Sequence, residues 1–156
     1  MDLFIAIFQG IIIASTPLVL AAVGELVVEK SGVLNLGVEG MMIIGAVTSF
    51  IVTYETGSHF LGLIAAVISA GLVASLFGLL TQYLLSNQVA TGLALTLFGL
   101  GLASLIGQTY SGISLDTFPV FDVYLLTEIP IIGSLLFNFD YLIYLSIIIV
   151  VSVYYF

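Results

Sequence analysis

Glu25, Glu29, Lys30 and Glu39 are the ionisable side chains of one stretch, GELVVEKSGVLNLGVEGMMIIG, which runs from Gly24 to Gly45. The same stretch holds Asn35 and the glycines Gly24, Gly32, Gly37 and Gly40, and Lys30 is the only basic residue of the chain. Long apolar runs flank it on both sides. A bilayer offers no water to bare backbone, so irregular polar chain at membrane depth persists only where protein or a water-filled cavity covers it. Ionisable groups there are costly and mark functional positions. They can hold or pass charge. Covalent chemistry finds little support. There is no cysteine, hence no disulfide, thiol nucleophile or thiolate metal site. The single histidine, His59, cannot build a metal site alone.

The elements that must position these groups follow from composition. Of 156 residues, 62% are hydrophobic and 6% charged, which places the chain in the membrane class. The net charge of -8 comes from nine acids against one lysine. With no basic patch to meet phosphates, a nucleic-acid partner is excluded. The N-terminus lacks the positive n-region and small-residue cleavage site of a signal peptide, so the first apolar run reads as a permanent span. No Pro/Gly/Ser-rich linker interrupts the chain, and residues 1–156 read as one all-α transmembrane domain.

Leu3 to Gly24 carries no charge and would be about 33 Å long as a helix, enough to cross the hydrocarbon core. Pro17 inside it removes one backbone bond, and the neighbouring Ser15 and Thr16 hydroxyls can re-satisfy the freed carbonyl. Ser31-Gly32 reads as a turn. A second span is expected from about Leu34 to Tyr54, beginning with a polar, glycine-rich half. Glu55 to Phe60 (ETGSHF) is a polar turn with His59 as a loop histidine. No formal charge occurs from Thr56 to Leu115, a length that suits two spans, about Leu61–Leu85 and Val89–Gln108, split at Ser86-Asn87-Gln88. Gly62, Ala66, Ala70, Ala74 and Gly78 form a small-residue row at spacing four in the first, and Gly99, Ala103 and Gly107 do so in the second. Such rows let membrane helices pack backbone to backbone. Tyr110 to Asp140 carries Asp116, Asp122, Glu128, Pro119 and Pro130 and reads as an extramembrane loop, with Ile129–Phe137 a short interfacial segment. Tyr141–Phe156 begins a fifth span. Its sixteen residues fall short of the ~20 that a full span needs, so the chain is expected to be incomplete at its C-terminus. Positive residues favour the cytoplasm. Placing Lys30 there puts Ser86–Gln88 on the same side and the N-terminus, ETGSHF and the acidic loop outside.

The segment GELVVEKSGVLNLGVEGMMIIGA, above all its SGVLNLGVEGMM core, resembles the membrane subunits of bacterial ABC importers of the ribose, galactoside and branched-chain amino-acid type. Together with the later NQVATGLALTLFGLGLASLIG it is most similar to the nucleoside and simple-sugar subgroup. The two matches cover much of Gly24 to Gly107, in the right order. The resemblance implies a permease subunit in a bacterial inner (plasma) membrane that crosses it several times. It also implies a second permease subunit, a cytoplasmic ATP-binding subunit and an extracytoplasmic solute-binding protein as partners, and no cofactor on this chain. Family members are longer. Their cytoplasmic coupling segment and the second half of the bundle have no counterpart here, so the chain corresponds to the N-terminal portion of such a permease.

A nucleoside or sugar needs hydrogen-bonding groups along its path. The candidates are Asn35, Glu39, Gln88, Thr91 and Thr96. Asn35 and Glu39 are four apart and share one side of a helix if both are helical. For Glu39 the plainer alternative is a carboxylate bonded at a helix end. Asn87 and Gln88 would otherwise cap the fourth span, and Thr96 would bond back to its own helix. Glu25 and Glu29 suit a solvated helix end, and the adjacent Glu29 and Lys30 do not face each other. No G-x-x-x-x-G-K-[ST] motif is present, so ATP binding is expected on another chain. A proton-coupled secondary transporter half using Glu39 is the alternative, but no second GVLNLGVEG-like repeat supports it. A non-transporting truncated membrane protein is another. No Ser/His or paired-aspartate arrangement favours an intramembrane enzyme.

Overall fold

A computed structural model of the protein describes residues 2–116 and 139–155, all of whose regular elements are helical. The principal helices are α1 (Asp2–Lys30), α2 (Val38–Thr56), α3 (His59–Gly78), α4 (Gln88–Gly107) and α5 (Tyr141–Tyr155). Four are long and apolar enough to cross a membrane, counting the short helical turns that extend α3 to Tyr83 and α4 to Tyr110. α5, with 15 residues, is apolar but shorter. The protein is a polytopic bundle of transmembrane helices. Asp122, Glu128, Pro119, Pro130 and the segment Ile129–Phe137 lie outside the described residues.

The chain divides into two compact units, Met1–Val27 with Thr117–Phe156, and Val28–Asp116. In the first, a concavity of about 320 Å³ between α1 and α5 is lined by Ser15, Thr16, Val19, Ile143, Ser146 and Ile147 among others. Its hydroxyls are internally satisfied. Ser146 donates to the Ile143 carbonyl at 2.7 Å. Ser15 and Thr16 both donate to the Ile12 carbonyl, at 3.0 and 2.9 Å. This corrects the expectation at Pro17, which deprives Ile13 of its partner, not Ile12. Asp140 caps α5, its Oδ1 accepting from the backbone N–H groups of Leu142 and Ile143 at 3.1 and 3.2 Å.

The first helix does not stop at Gly24. It continues through Glu25, Glu29 and Lys30, because ELVVEK contains only helix-compatible residues and Lys30 in the last turn complements the helix dipole. Termination comes at Gly32, whose φ of 84° is open to glycine at little cost. There the Gly32 N–H bonds the Glu29 carbonyl at 2.9 Å and the Val33 N–H reaches back to Val28 at 3.4 Å.

In the second unit α2 lies between α3 and α4, which touch each other little. Met41, Ile44, Val73, Phe77 and Leu95 form its buried core. The turn between α2 and α3 is tighter than ETGSHF suggested. α2 ends on Gly57, at φ 66°, and Ser58 already caps α3 by accepting from Leu61 N–H at 3.4 Å. On the α3 row, Gly62, Ala66 and Ala70 face α2. A methyl at Gly62 would overlap the Thr53 hydroxyl, and one at Gly45 would touch the Ala66 carbonyl at 3.5 Å and the Ala70 methyl at 3.6 Å. Thr48 and Ser69 join the same two helices through a 2.6 Å hydroxyl bond. The row does not continue as a seam: Ala74 is exposed and Gly78 has open space at its Cβ position. Beyond Ala70 it is Val73 and Phe77, not the small residues, that enter the core with Met41 and Ile44.

Candidate functional site

The second helix begins four residues later than the expected span, at Val38 rather than Leu34. Leu34 to Gly37 is a non-helical loop laid on the N-terminal half of α4. Three of its backbone groups find their partners in side chains. The Leu34 N–H donates to Gln88 Oε1 at 2.8 Å. The Leu36 carbonyl accepts from Thr96 Oγ1 at 3.0 Å. The Gly37 N–H donates to Asn35 Oδ1 at 2.9 Å, an Asx turn that sets up the first turn of α2. Asn35 is itself buried, and its amide makes a weak contact with Met41 Sδ at 3.7 Å.

Glycine allows this close approach. A methyl at Gly92 would lie 2.8 Å from the Leu36 nitrogen and 2.9 Å from the Gly37 nitrogen. One turn further, Gly40 and Gly99 meet: a methyl on either would come within 2.6 Å of the other helix's backbone. Ala103 is buried and a methyl at Gly107 would reach Val47 at 3.0 Å, so the α4 row Gly99, Ala103, Gly107 runs along α2. Gly92 extends that row and was missed. Its signal was the seven-residue interval to Gly99, two turns on one face, opposite the pair Gly37 and Gly40.

The sequence candidates therefore separate. Asn35, Gln88 and Thr96 converge on the loop. Thr91 does not reach it, pairing instead with Ser86 Oγ at 2.9 Å, while Ser86 also donates to the Leu80 carbonyl at 2.8 Å. Glu39 stands exposed in the first turn of α2 and makes no side-chain hydrogen bond among the described residues. Asn35 and Glu39 do not share a helix face, because Asn35 precedes the helix and is buried while Glu39 is exposed. Thr96 does not bond back to its own helix; it reaches across to the loop. Asn87 caps α4, its Oδ1 accepting from Ala90 N–H at 3.0 Å. Gln88 uses its side chain on the loop.

The turn before that cap has a feature the sequence did not signal. α3 loosens into a π-helical turn, Leu79–Tyr83, and Leu85 takes a left-handed conformation at φ 52°. The Ser86 N–H and hydroxyl both close on the Leu80 carbonyl, at 3.1 and 2.8 Å, and hold the residue there.

At the other end of the same unit, Tyr110 donates to Glu55 Oε1 at 3.0 Å and packs edge-on against Tyr54, with ring centroids 5.7 Å apart. His59 Nε2 lies 3.0 Å from the Asp116 carbonyl oxygen. Beside this anchor an open concavity of about 720 Å³ runs along α4, with Gly101, Ser104, Leu105, Gly107, Gln108 and Ser111 in its wall. A third hollow, about 470 Å³ between α3 and α4, is apolar apart from Thr91.

These features define a polytopic helical membrane protein whose second helix is reached through a polar loop docked on the fourth. The family described as branched-chain amino acid transport system / permease component matches residues 7–156, and the chain belongs to it. Among named relatives it is 39% identical over 148 residues to a putative glucose ABC transporter permease protein of Haloferax volcanii, covering 92% of this chain and 45% of that protein. It is 28% identical over 142 residues to a nucleoside ABC transporter permease protein of Lactococcus lactis (85% and 45% covered). A guanosine ABC transporter permease protein of Bacillus subtilis is 29% identical over 136 residues (83% and 42% covered). The chain thus spans under half the length of these relatives. No solved structure matches it.

Proposed function

We propose that this chain is part of the membrane-spanning permease of an ATP-driven ABC importer for a small polar, uncharged solute, a nucleoside or simple sugar. The observation that carries this reading is the family match over residues 7–156, joined by relatives named for glucose, nucleosides and guanosine. In this reading a second permease subunit completes the pathway across a bacterial plasma membrane. A cytoplasmic subunit binds and hydrolyses ATP, and an extracytoplasmic protein delivers the solute. The chain itself makes and breaks no bonds.

Within this account Gln88, Thr96 and Asn35 are positioning residues, because their hydrogen-bonding groups hold the loop before α2. Glu39, exposed at the start of α2, is the carboxylate left to face a pathway or a partner. The test is uptake of radiolabelled guanosine and glucose into membrane vesicles that contain the chain with its native partners. Uptake should require ATP and persist when a protonophore collapses the proton gradient. Uptake that stops with the gradient while ATP is maintained would replace this reading with a proton-coupled one.

A further inference from the structure

The hydroxyl and amide groups of the second unit differ in how far their bonding capacity is used. Thr48, Ser69, Ser75 and Thr81 each donate to a carbonyl of their own helix. Ser86 and Thr91 bond each other, and Gln88 and Thr96 hold the loop before α2. Ser104, Gln108 and Ser111 are exposed, and their side chains make no hydrogen bond among the described residues. Gly101, Ser104 and Gln108 fall at i, i+3 and i+7 on one face of α4, and all three, with Ser111, line the 720 Å³ concavity. An amide held in hydrocarbon without a partner is costly, so such a face does not belong against lipid. The wall carries no charged side chain. It offers two hydroxyls that donate and accept, and one amide that does both through separate atoms. That set matches a neutral ligand rich in hydroxyls.

Two further observations make the face a formed one. The turn that carries Gln108 and Ser111 is fixed from behind by Tyr110, through Glu55 and Tyr54, and the chain after it by the His59 contact with Asp116. Its floor is glycine: a methyl at Gly101 meets nothing within 4 Å, so the space above that residue is free. The volume lies within the 300–1,000 Å³ usual for small-ligand sites.

We infer that Ser104, Gln108 and Ser111 line a water-filled site on α4 that binds a neutral, hydroxyl-rich solute such as a sugar or the ribose of a nucleoside. This rests on the permease reading and places its solute contacts away from the Asn35–Gln88–Thr96 cluster, which serves the fold.

These 156 residues hold no cysteine, so an introduced thiol is the single one among them. Ser104→Cys, Gln108→Cys and Ser111→Cys are made singly in the assembled transporter, with Leu97→Cys, an exposed apolar position of the same helix, as the reference. Membrane vesicles are treated from each face with an impermeant methanethiosulfonate cation, with and without saturating guanosine or glucose. From one face the three thiols should react at least about tenfold faster than at Leu97→Cys, because only a hydrated thiol ionises and reacts readily. One of the two solutes should slow them about tenfold at nine-tenths occupancy. Thiols at Ser104 and Gln108 that react no faster than at Leu97 would overturn the inference. Fast reaction that neither solute slows would overturn the solute site and leave only a hydrated surface. ATP-driven uptake by the parent transporter, without an added cysteine, is read in the same vesicles, and its thiol reactivity is subtracted as background. Uptake with unreactive thiols would sink this inference while sparing the permease reading, and absent ATP-driven uptake would count against that reading instead.

Discussion

Exchanging Gly99 for alanine, with Gly101→Ala as its partner experiment, isolates the helix crossing that holds the second unit together. The two substitutions are chemically identical, lie on one helix two residues apart, and differ only in what the new methyl meets. At Gly99 it falls 2.6 Å from the Gly40 carbonyl oxygen and 2.7 Å from Gly40 Cα. Ordinary contact begins near 3.4 Å, so the crossing must open by about 0.8 Å. Both neighbours are backbone and neither can rotate away. Opening the crossing also draws Leu36 and Gly37 off Gly92, since all three contacts belong to one seam. Overpacking of this kind costs about 1–3 kcal/mol, offset by up to ~1 kcal/mol from the better helix propensity of alanine. Gly101→Ala keeps the offset without the clash, because nothing lies within 4 Å. Gly99→Ala should therefore be less stable than Gly101→Ala by about 1–3 kcal/mol. The assay is unfolding of the purified chain in mild detergent titrated with dodecyl sulfate, followed by the near-ultraviolet dichroism of its tyrosines. If the two variants unfold within about 0.5 kcal/mol of each other, the backbone-to-backbone crossing is refuted.

Thr96→Val removes the donor to the Leu36 carbonyl at nearly constant volume, and should cost about 0.5–1.5 kcal/mol in the same titration, whereas Thr96→Ser should restore most of it. A loss in Thr96→Ser with none in Thr96→Val would mean that the methyl, not the hydroxyl, matters. Asn87→Ala takes away the cap of α4 and should lower stability by about 1 kcal/mol, with Asn87→Asp close to the parent. Leu85→Gly relieves a left-handed leucine and should stabilise by up to about 1 kcal/mol, whereas Leu85→Val should destabilise; the opposite order would contradict that backbone conformation.

The helices themselves were legible because hydrocarbon demands long uncharged runs, and four of them appear within a few residues of their expected places. The ends were less so. The expected first span stops at Gly24, where the charges begin, yet ELVVEK is sound helix and α1 runs on to Lys30, with Glu25 and Glu29 in its last turns. Conversely, LNLG is the expected start of α2 because the apolar run after it is short for a span, but Asn35 closes an Asx turn and Gln88 and Thr96 capture the adjacent backbone. Those partners lie more than fifty positions away, at separations of 54 and 60, and no local pattern can report them. The same long reach explains why Asn35, Gln88 and Thr96 stood out as polar residues in apolar surroundings while their shared loop did not. Glycine spacing identified part of the packing. It could not tell Gly99, which meets Gly40, from Gly78, which meets nothing, because spacing says which residues share a face and not what stands opposite.

On the proposed function, this chain works in an ATP-driven importer of a neutral solute. The most direct measurement is uptake of labelled guanosine and glucose by cells with and without the chain, with ATP maintained and the proton gradient collapsed. Accumulation of one of them should persist without the gradient, fall when the chain is deleted and return when it is restored. Accumulation of both that is indifferent to the deletion, or that vanishes with the gradient while ATP is held up, would contradict it.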